Sequence, residues 1–409
     1  MFTLFVVGAM AALSIDVVTI YTARSEAQLA ADSAALAAAR VLANSGATSD
    51  GTGTLLVAVE SSSGPAPAVA YQVAAHNQVG GTNLTSSQIT VTFSGTVTNP
   101  TVNVKVQANL PTFFARIWGR TQVGVAASAT AEAYNPSGGV AVSASSAPPV
   151  APICVKPWLL PNISPKTGAT IFSATTGAIN DTTLLGWSSV GTSTQMGLAC
   201  GPGGNCSMGL PIPTTWQYYP GDPLTTFPPP TTSLPTCSPT LSTGYQESIA
   251  GCIQIPISCN AAPANIDLSD YPTRNAETAG AVNCLTHATT GGGDYVASPS
   301  PPNAPFQFVA GTDNPIPGLA NSDVMVSDSL VTVPVFNSST TGAPTNPVQI
   351  IGFVQLFLNP IGSAAPATGY IDTTVVNLAG CGTPGSGASG TAILGNGASP
   401  VAVRLISGS

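Results

Sequence analysis

Charge is what this 409-residue chain has least of: only 6% of its residues are Asp, Glu, Lys or Arg, against about a quarter in ordinary soluble domains. Nine Lys plus Arg face seventeen Asp plus Glu, a formal net charge of −8. That leaves no basic stripe to neutralise phosphates, and nucleic acid is excluded as an expected partner. Histidine is also scarce, at two residues, and no C-x-x-C occurs, so structural zinc has poor support. No cysteine precedes residue 150. Catalytic strings are missing as well: there is no G-x-S-x-G, H-E-x-x-H or Walker A motif. The G-x-G-x-x-G at residues 385–390 sits among Pro and Gly with no helix to follow it, and reads as a turn-rich loop. No cofactor and no metal are expected, and the chain is not expected to be an enzyme.

What fills the space is Gly (42), Pro (37) and abundant hydroxyl and amide residues, a neutral surface of the kind many exported proteins carry. Eight cysteines, Cys154, Cys200, Cys206, Cys237, Cys252, Cys259, Cys284 and Cys381, mark the region beyond residue 150. Their even number and Pro/Gly-rich setting point to disulfides in an oxidising compartment. The short spacings favour Cys200 with Cys206 and Cys252 with Cys259 as local loops, and Cys154 and Cys381 could then join the ends of the distal region.

The one long apolar run is Phe2 to Tyr21, interrupted by a single charge, Asp16. As a helix it would measure about 30 Å and reads as a transmembrane span over residues 1–21. Ala9-Met10-Ala11 has the small-x-small form of a signal-peptide cleavage site, but the run continues beyond it and no basic n-region precedes it. The first basic residue, Arg24, follows the run, so the charge rule leaves orientation open, and the cysteines favour a body outside the cytoplasm. Asp16 would either face another helix, and so matter for assembly, or lie shallow enough to reach the headgroups.

No Gly or Pro interrupts the sequence from Thr22 until Gly46, so the apolar run should continue as one helix into EAQLAADSAALAAAR at residues 26–40. At 100° per residue, Ala27, Ala31, Ala35 and Ala39 form one row with Ala23, and Ala30, Ala34 and Ala38 form the next. Glu26, Asp32 and Arg40 lie largely on the other side. So smooth a face lets a neighbouring backbone approach to about 8 Å, which suits close packing on other helices or on the protein's own sheet. Alanine's cheap helicity alone is the competing explanation.

Residues 67–79 suggest a short second helix, and alternation at Ile89/Val91/Phe93, Val102/Val104/Val106 and Val123/Val125 predicts three half-buried strands. Leu110 to Gly119 reads as a Pro-initiated helical turn with bulky apolar residues. The expected fold is α+β: an Ala-rich helix over a small antiparallel sheet for residues 22–134, a linker at 135–150, and a β-rich, disulfide-stapled extracytoplasmic domain at 151–409. The clearest distal strands are residues 330–336, 348–358, 370–378 and 401–405. The second of these is apolar on both faces and should be central. Trp158 would be either buried in a strand tethered by Cys154 or part of a binding surface. His76 reads as a surface or packing residue, and Asp267, Asp270, Asp294, Asp313, Asp323 and Asp328 as solvated loop carboxylates rather than a calcium site. His287, three residues after Cys284, lacks a second ligand pair.

The run SIDVVTIYTARSEAQLAADSAALAAAR, through Asp16, Tyr21, Arg24, Asp32 and Leu36, resembles the N-terminal domain of TadG-like proteins of the Flp (Tad) pilus-assembly system. The resemblance covers residues 4–42, with a weaker echo at 102–133. It implies a membrane-anchored envelope protein that helps assemble or anchor a pilus, with the lipid bilayer and other pilus-assembly or pilin-like subunits as partners. A basic, Gln-containing stretch usual before the apolar run is absent, which suggests a start upstream of Met1. The von Willebrand type A metal motif of some relatives is absent too. The alternatives are a surface adhesin or glycan-binding protein and, third, an exported hydrolase with an unrecognised site.

Overall fold

The computed structural model describes residues 2–137, 150–158, 160–188, 210–211, 240–252, 256–257, 275–288, 292–297, 305–323, 327–337, 349–359, 370–381, 393–394 and 399–406. It opens with helix α1, Phe2–Asn44, 43 residues without a break. Continuity follows from composition, since the only glycine inside it is Gly8 and there is no proline. It stops at Gly46, which takes φ 79°. A Cβ there would lie 2.6 Å from the Val376 carbonyl, so both the left-handed turn and the close approach of a distal strand require glycine.

Two short helices follow, α2 (Thr54–Glu60) and α3 (Pro65–Ala75), the latter with proline at its start, where the missing N–H costs nothing. Then come three antiparallel strands, β1 (Ile89–Thr96), β2 (Asn99–Pro111) and β3 (Gln122–Tyr134). Alternation assigns their faces: Val102, Val104, Val106, Ala108 and Leu110 of β2 all turn inward. With Ile89, Val125, Ala129 and Ala131 they meet the alanines of α1 in one apolar core.

The distal region contributes a second four-stranded sheet. A two-residue strand β4 (Leu160–Pro161) runs parallel to β5 (Leu330–Phe336), which pairs antiparallel with β6 (Ile350–Leu358), and that with β7 (Thr373–Gly380). The doubly apolar β6 is central, as its composition requires, and every one of its residues is buried. Trp158, Ile171, Phe172 and Leu184 cover one face. Phe306, Phe308 and Phe357 stack on the other, with centroids 6.3 Å and 5.5 Å apart. Trp158 is thus a core residue, with its indole N–H unpartnered. Helices α4 (Gly244–Ala250) and α5 (Asn275–Leu285) pack together beside this core, two helices that the expectation of a β-rich region did not include.

Three sequence expectations are corrected. The strand at the C-terminal end, β8 (Ala402–Ile406), does not belong to the distal sheet: it pairs antiparallel with β3 and completes the first sheet, with Arg404 opposite the buried Glu132 and bonded to it. Cys154 pairs with Cys252, so neither Cys252 with Cys259 nor Cys154 with Cys381 forms. Next to this bridge the Lys156 ammonium reaches the carbonyls of Ile249 and Gly251. Burial lowers that ammonium to about 8. Cys284 and Cys381 are also disulfide-bonded, and no described cysteine is free. The Cys200–Cys206 pair, Cys237 and Cys259 lie outside the described residues. Third, among the described residues no helix is long and apolar enough to cross a membrane. From Ala23 onward α1 packs on the first sheet through alanine, and Asp16, a charged group, interrupts the apolar run before it.

The two sheets are coupled by a buried amide network. The Asn377 side chain donates to the Ala43 carbonyl and accepts from Ser49 and Thr48. Asn135 donates to the Leu378 carbonyl, and the Gly380 N–H donates to Ser137. Asn377→Leu would leave the Ala43 carbonyl only the long 3.5 Å bond from Ser399, while Ser49 and Thr48 keep their bonds to Leu378 and Asn135. We expect it to lower stability by about 1 to 3 kcal/mol, the cost of a buried polar group that loses its main partner. Urea unfolding measures this, and an unchanged midpoint would show that the network is dispensable.

Candidate functional site: the exposed end of the amino-terminal helix

The alanines and Asp16 occupy two different parts of α1. Ala27, Ala31, Ala35 and Ala39 are fully buried, as are Ala30, Ala34 and Ala38. They pack on β2, β3 and β8 on one side and α3 on the other. Because α1 lies between two layers, a longer side chain on either row is expected to push one of them away. Ser25 and Arg40 are exposed, and Glu26, Asp32 and Ser33 are half-buried. Glu26 accepts from the Gly80 N–H, while Gln28 bridges Asp32 and the Ser128 carbonyl.

Asp16 lies on the half of α1 that leaves this core. It is only 3% exposed, and its carboxylate accepts three backbone hydrogen bonds, from Phe113 at 2.8 Å, Phe114 at 3.0 Å and Ala115 at 2.7 Å. These N–H groups open a 3-10 turn at Ala115–Trp118, where unpaired donors and the turn's dipole favour an anion. Burial pushes the Asp16 carboxyl up, but the N–H groups of Phe113, Ala115 and Phe114 together outweigh it and hold the group below its usual value. A depressed carboxylate stabilises fully above its unfolded value and loses that contribution as pH falls through the lower folded one. We therefore expect the clamp to hold throughout the neutral range. Asp16→Ala should speed amide exchange at Phe113, Phe114 and Ala115 while leaving β2 and β3 protected; unchanged exchange would mean that the turn holds itself.

Around this clamp the surface is apolar. Met10, Leu13, Ile15, Val17, Val18 and Tyr21 of α1 are 50–75% exposed, and so are Phe113, Ile117 and Trp118 of the turn, at 58–73%. Nine of the fourteen exposed large hydrophobic side chains among the described residues gather at this one end, which marks a surface meant to be covered. The α1 part was legible as a greasy run. The turn was visible in sequence only as bulky residues after a proline; nothing local ties it to Asp16, 97 positions away.

The remaining candidates do not assemble. His287 pairs with Asp328 at 2.9 Å, and that bond raises the imidazole above its usual value. Asp294 is buried and accepts from Gly311 N–H, Asn314 and Ser327. His76 caps α3. Asp267 and Asp270 lie outside the described residues, and among the described ones no cluster of three or more His, Cys, Asp or Glu is placed to hold a metal.

No curated protein and no solved structure matches the chain. Residues 1–41, almost the whole of α1 with its exposed apolar end and Asp16, match the family model described as putative Flp pilus-assembly TadE/G-like.

Proposed function

We propose that the chain is an envelope protein of an Flp/Tad-type pilus-assembly system, held at the membrane by the apolar end of α1, with its body outside the cytoplasm. The observation that carries this reading is the concentration of exposed apolar side chains on the segment that matches the family. A bare apolar helix end costs solubility unless lipid or another apolar helix covers it. The Cys154–Cys252 disulfide supports an oxidising location for the body. In this reading the protein works by position: α1 is a stalk tied to a sheet, and the second sheet, locked on through Asn377, is displayed away from the membrane to other pilus-assembly or pilin-like subunits. No catalytic role is proposed.

Deleting the gene tests the role. Loss of surface pili is the expected result; normal pili with reduced attachment would transfer the reading to adhesion. Alkaline carbonate extraction tests the anchor, and release of the intact protein into the soluble fraction would defeat it.

A further inference from the structure

We propose that the turn at Phe113 to Arg120 is a second, interfacial membrane contact, which lays Phe113, Ile117 and Trp118 into the headgroup layer of an anionic bilayer beside α1. The proposal rests on the membrane reading above and adds a site to it. Its first ground is the chemistry of the turn. Phe113, Ile117 and Trp118 are exposed, and Arg116 and Arg120 stand between and after them, exposed as well. Apolar and aromatic side chains alternating with arginine is what the boundary between lipid and water accommodates, with rings at headgroup depth and guanidinium groups on phosphate.

The second ground is charge. The protein carries −8 overall, and its cations are few: Lys156 is buried on carbonyls and Arg404 is bonded to Glu132. Yet Arg116 and Arg120 share one turn, and Arg24 lies on α1 two helical turns beyond Asp16. The carboxylate that does touch the turn, Asp16, is consumed by three backbone N–H groups. An otherwise acidic protein thus offers a locally cationic, aromatic edge, complementary to acidic headgroups.

The third ground is rigidity. The turn is closed on itself: Thr112 N–H donates to the Thr121 carbonyl at 3.1 Å, and the Thr112 hydroxyl donates to the Arg120 carbonyl. Ile117, Gly119 and Arg120 N–H groups donate to Phe114, Arg116 and Ala115 carbonyls. With the N–H groups of residues 112–115, 117, 119 and 120 paired, the turn can enter a partly dehydrated layer with few amide donors left to satisfy. Asp16 bolts it to α1 beside the exposed Leu13, Ile15, Val17 and Val18, so both elements meet one surface.

Full-length protein reconstituted in vesicles of phosphatidylcholine and phosphatidylglycerol carrying a shallow spin-labelled lipid provides the test. Subtracting the emission of a Trp118→Phe variant isolates Trp118 from the other tryptophans. Trp118 is expected to shift to shorter wavelength and to be quenched roughly threefold or more above the fully buried Trp158, whose indole no lipid reaches. Arg116→Gln with Arg120→Gln should reduce that quenching to the level seen in phosphatidylcholine alone. Protein that floats with the vesicles while Trp118 stays unquenched would overturn the turn contact and leave the α1 anchor standing. Protein that does not float at all would overturn both. Crosslinking between Trp118 regions of two copies, without quenching, would assign the surface to self-association and overturn the lipid contact.

Discussion

Replacing Cys154 and Cys252 with serine is expected to destabilise the protein by about 4 to 5 kcal/mol, the loop-closure value for a ring of nearly 100 residues. The two cysteines are 98 positions apart, so the bridge removes far more freedom from the unfolded chain than either short loop anticipated from spacing. Its partner in the fold is Lys156, which holds the carbonyls of Ile249 and Gly251 at the end of α4. Ile257 N–H, donating to the Pro152 carbonyl at 3.0 Å, ties the same two segments once more. Without the disulfide these polar ties and the packing of Ile249 must hold α4, and a buried ammonium is costly to keep in place if its carbonyls drift. Urea unfolding of the oxidised protein and of the double serine variant measures the difference. A peptide map without reduction checks the premise, because a Cys252–Cys259 peptide would remove it. A midpoint shift equivalent to less than about 1 kcal/mol would mean that the segment is held by its hydrogen bonds.

The second large effect is expected at the alanine rows. Ala31→Leu together with Ala35→Leu should cost about 2 to 6 kcal/mol, since overpacking typically costs about 1 to 3 kcal/mol per site while helix propensity hardly changes. Both alanines have zero exposed surface and sit between the first sheet and α3. Leucine at Thr22 and Ser25, both exposed, is the control and should be close to neutral. Ser33 is not an equivalent control position, because its hydroxyl donates to the Ala30 carbonyl and it lies beneath Asn77. Thermal unfolding of the two double variants separates the readings: equal midpoints would mean that alanine is present only for its helicity.

The first sheet, α1 and the central distal strand were legible because each rests on a local repeat. Alternation assigned Val102, Val104 and Val106 to one face whatever lay opposite, and the doubly apolar run at Ile350 to Leu358 required a central place in a sheet. Gly46 ended α1 where sequence said it would, although the reason that only glycine fits, the Val376 carbonyl at 2.6 Å from its missing Cβ, came from a strand 330 positions away.

What the sequence by itself determined, then, is what can be decided within a few residues: helix continuity, strand faces, the alanine rows, the greasy start and the resemblance carried by residues 1–41. Only the tertiary structure decided which distant segments meet. β8 adds its edge to a sheet begun three hundred residues earlier, with Arg404 bonded to the buried Glu132 there. Cys154 takes Cys252 where Lys156 and α4 lie alongside each other. Asp16, which sequence offered as a carboxylate stranded in an apolar helix, finds three N–H donors in a turn that no periodicity connects to it. Periodicity and propensity act through neighbouring dihedral angles and so are written locally. Pairings across a hundred residues or more depend on which surfaces remain unsatisfied once the local elements exist, and that is settled only when the chain packs.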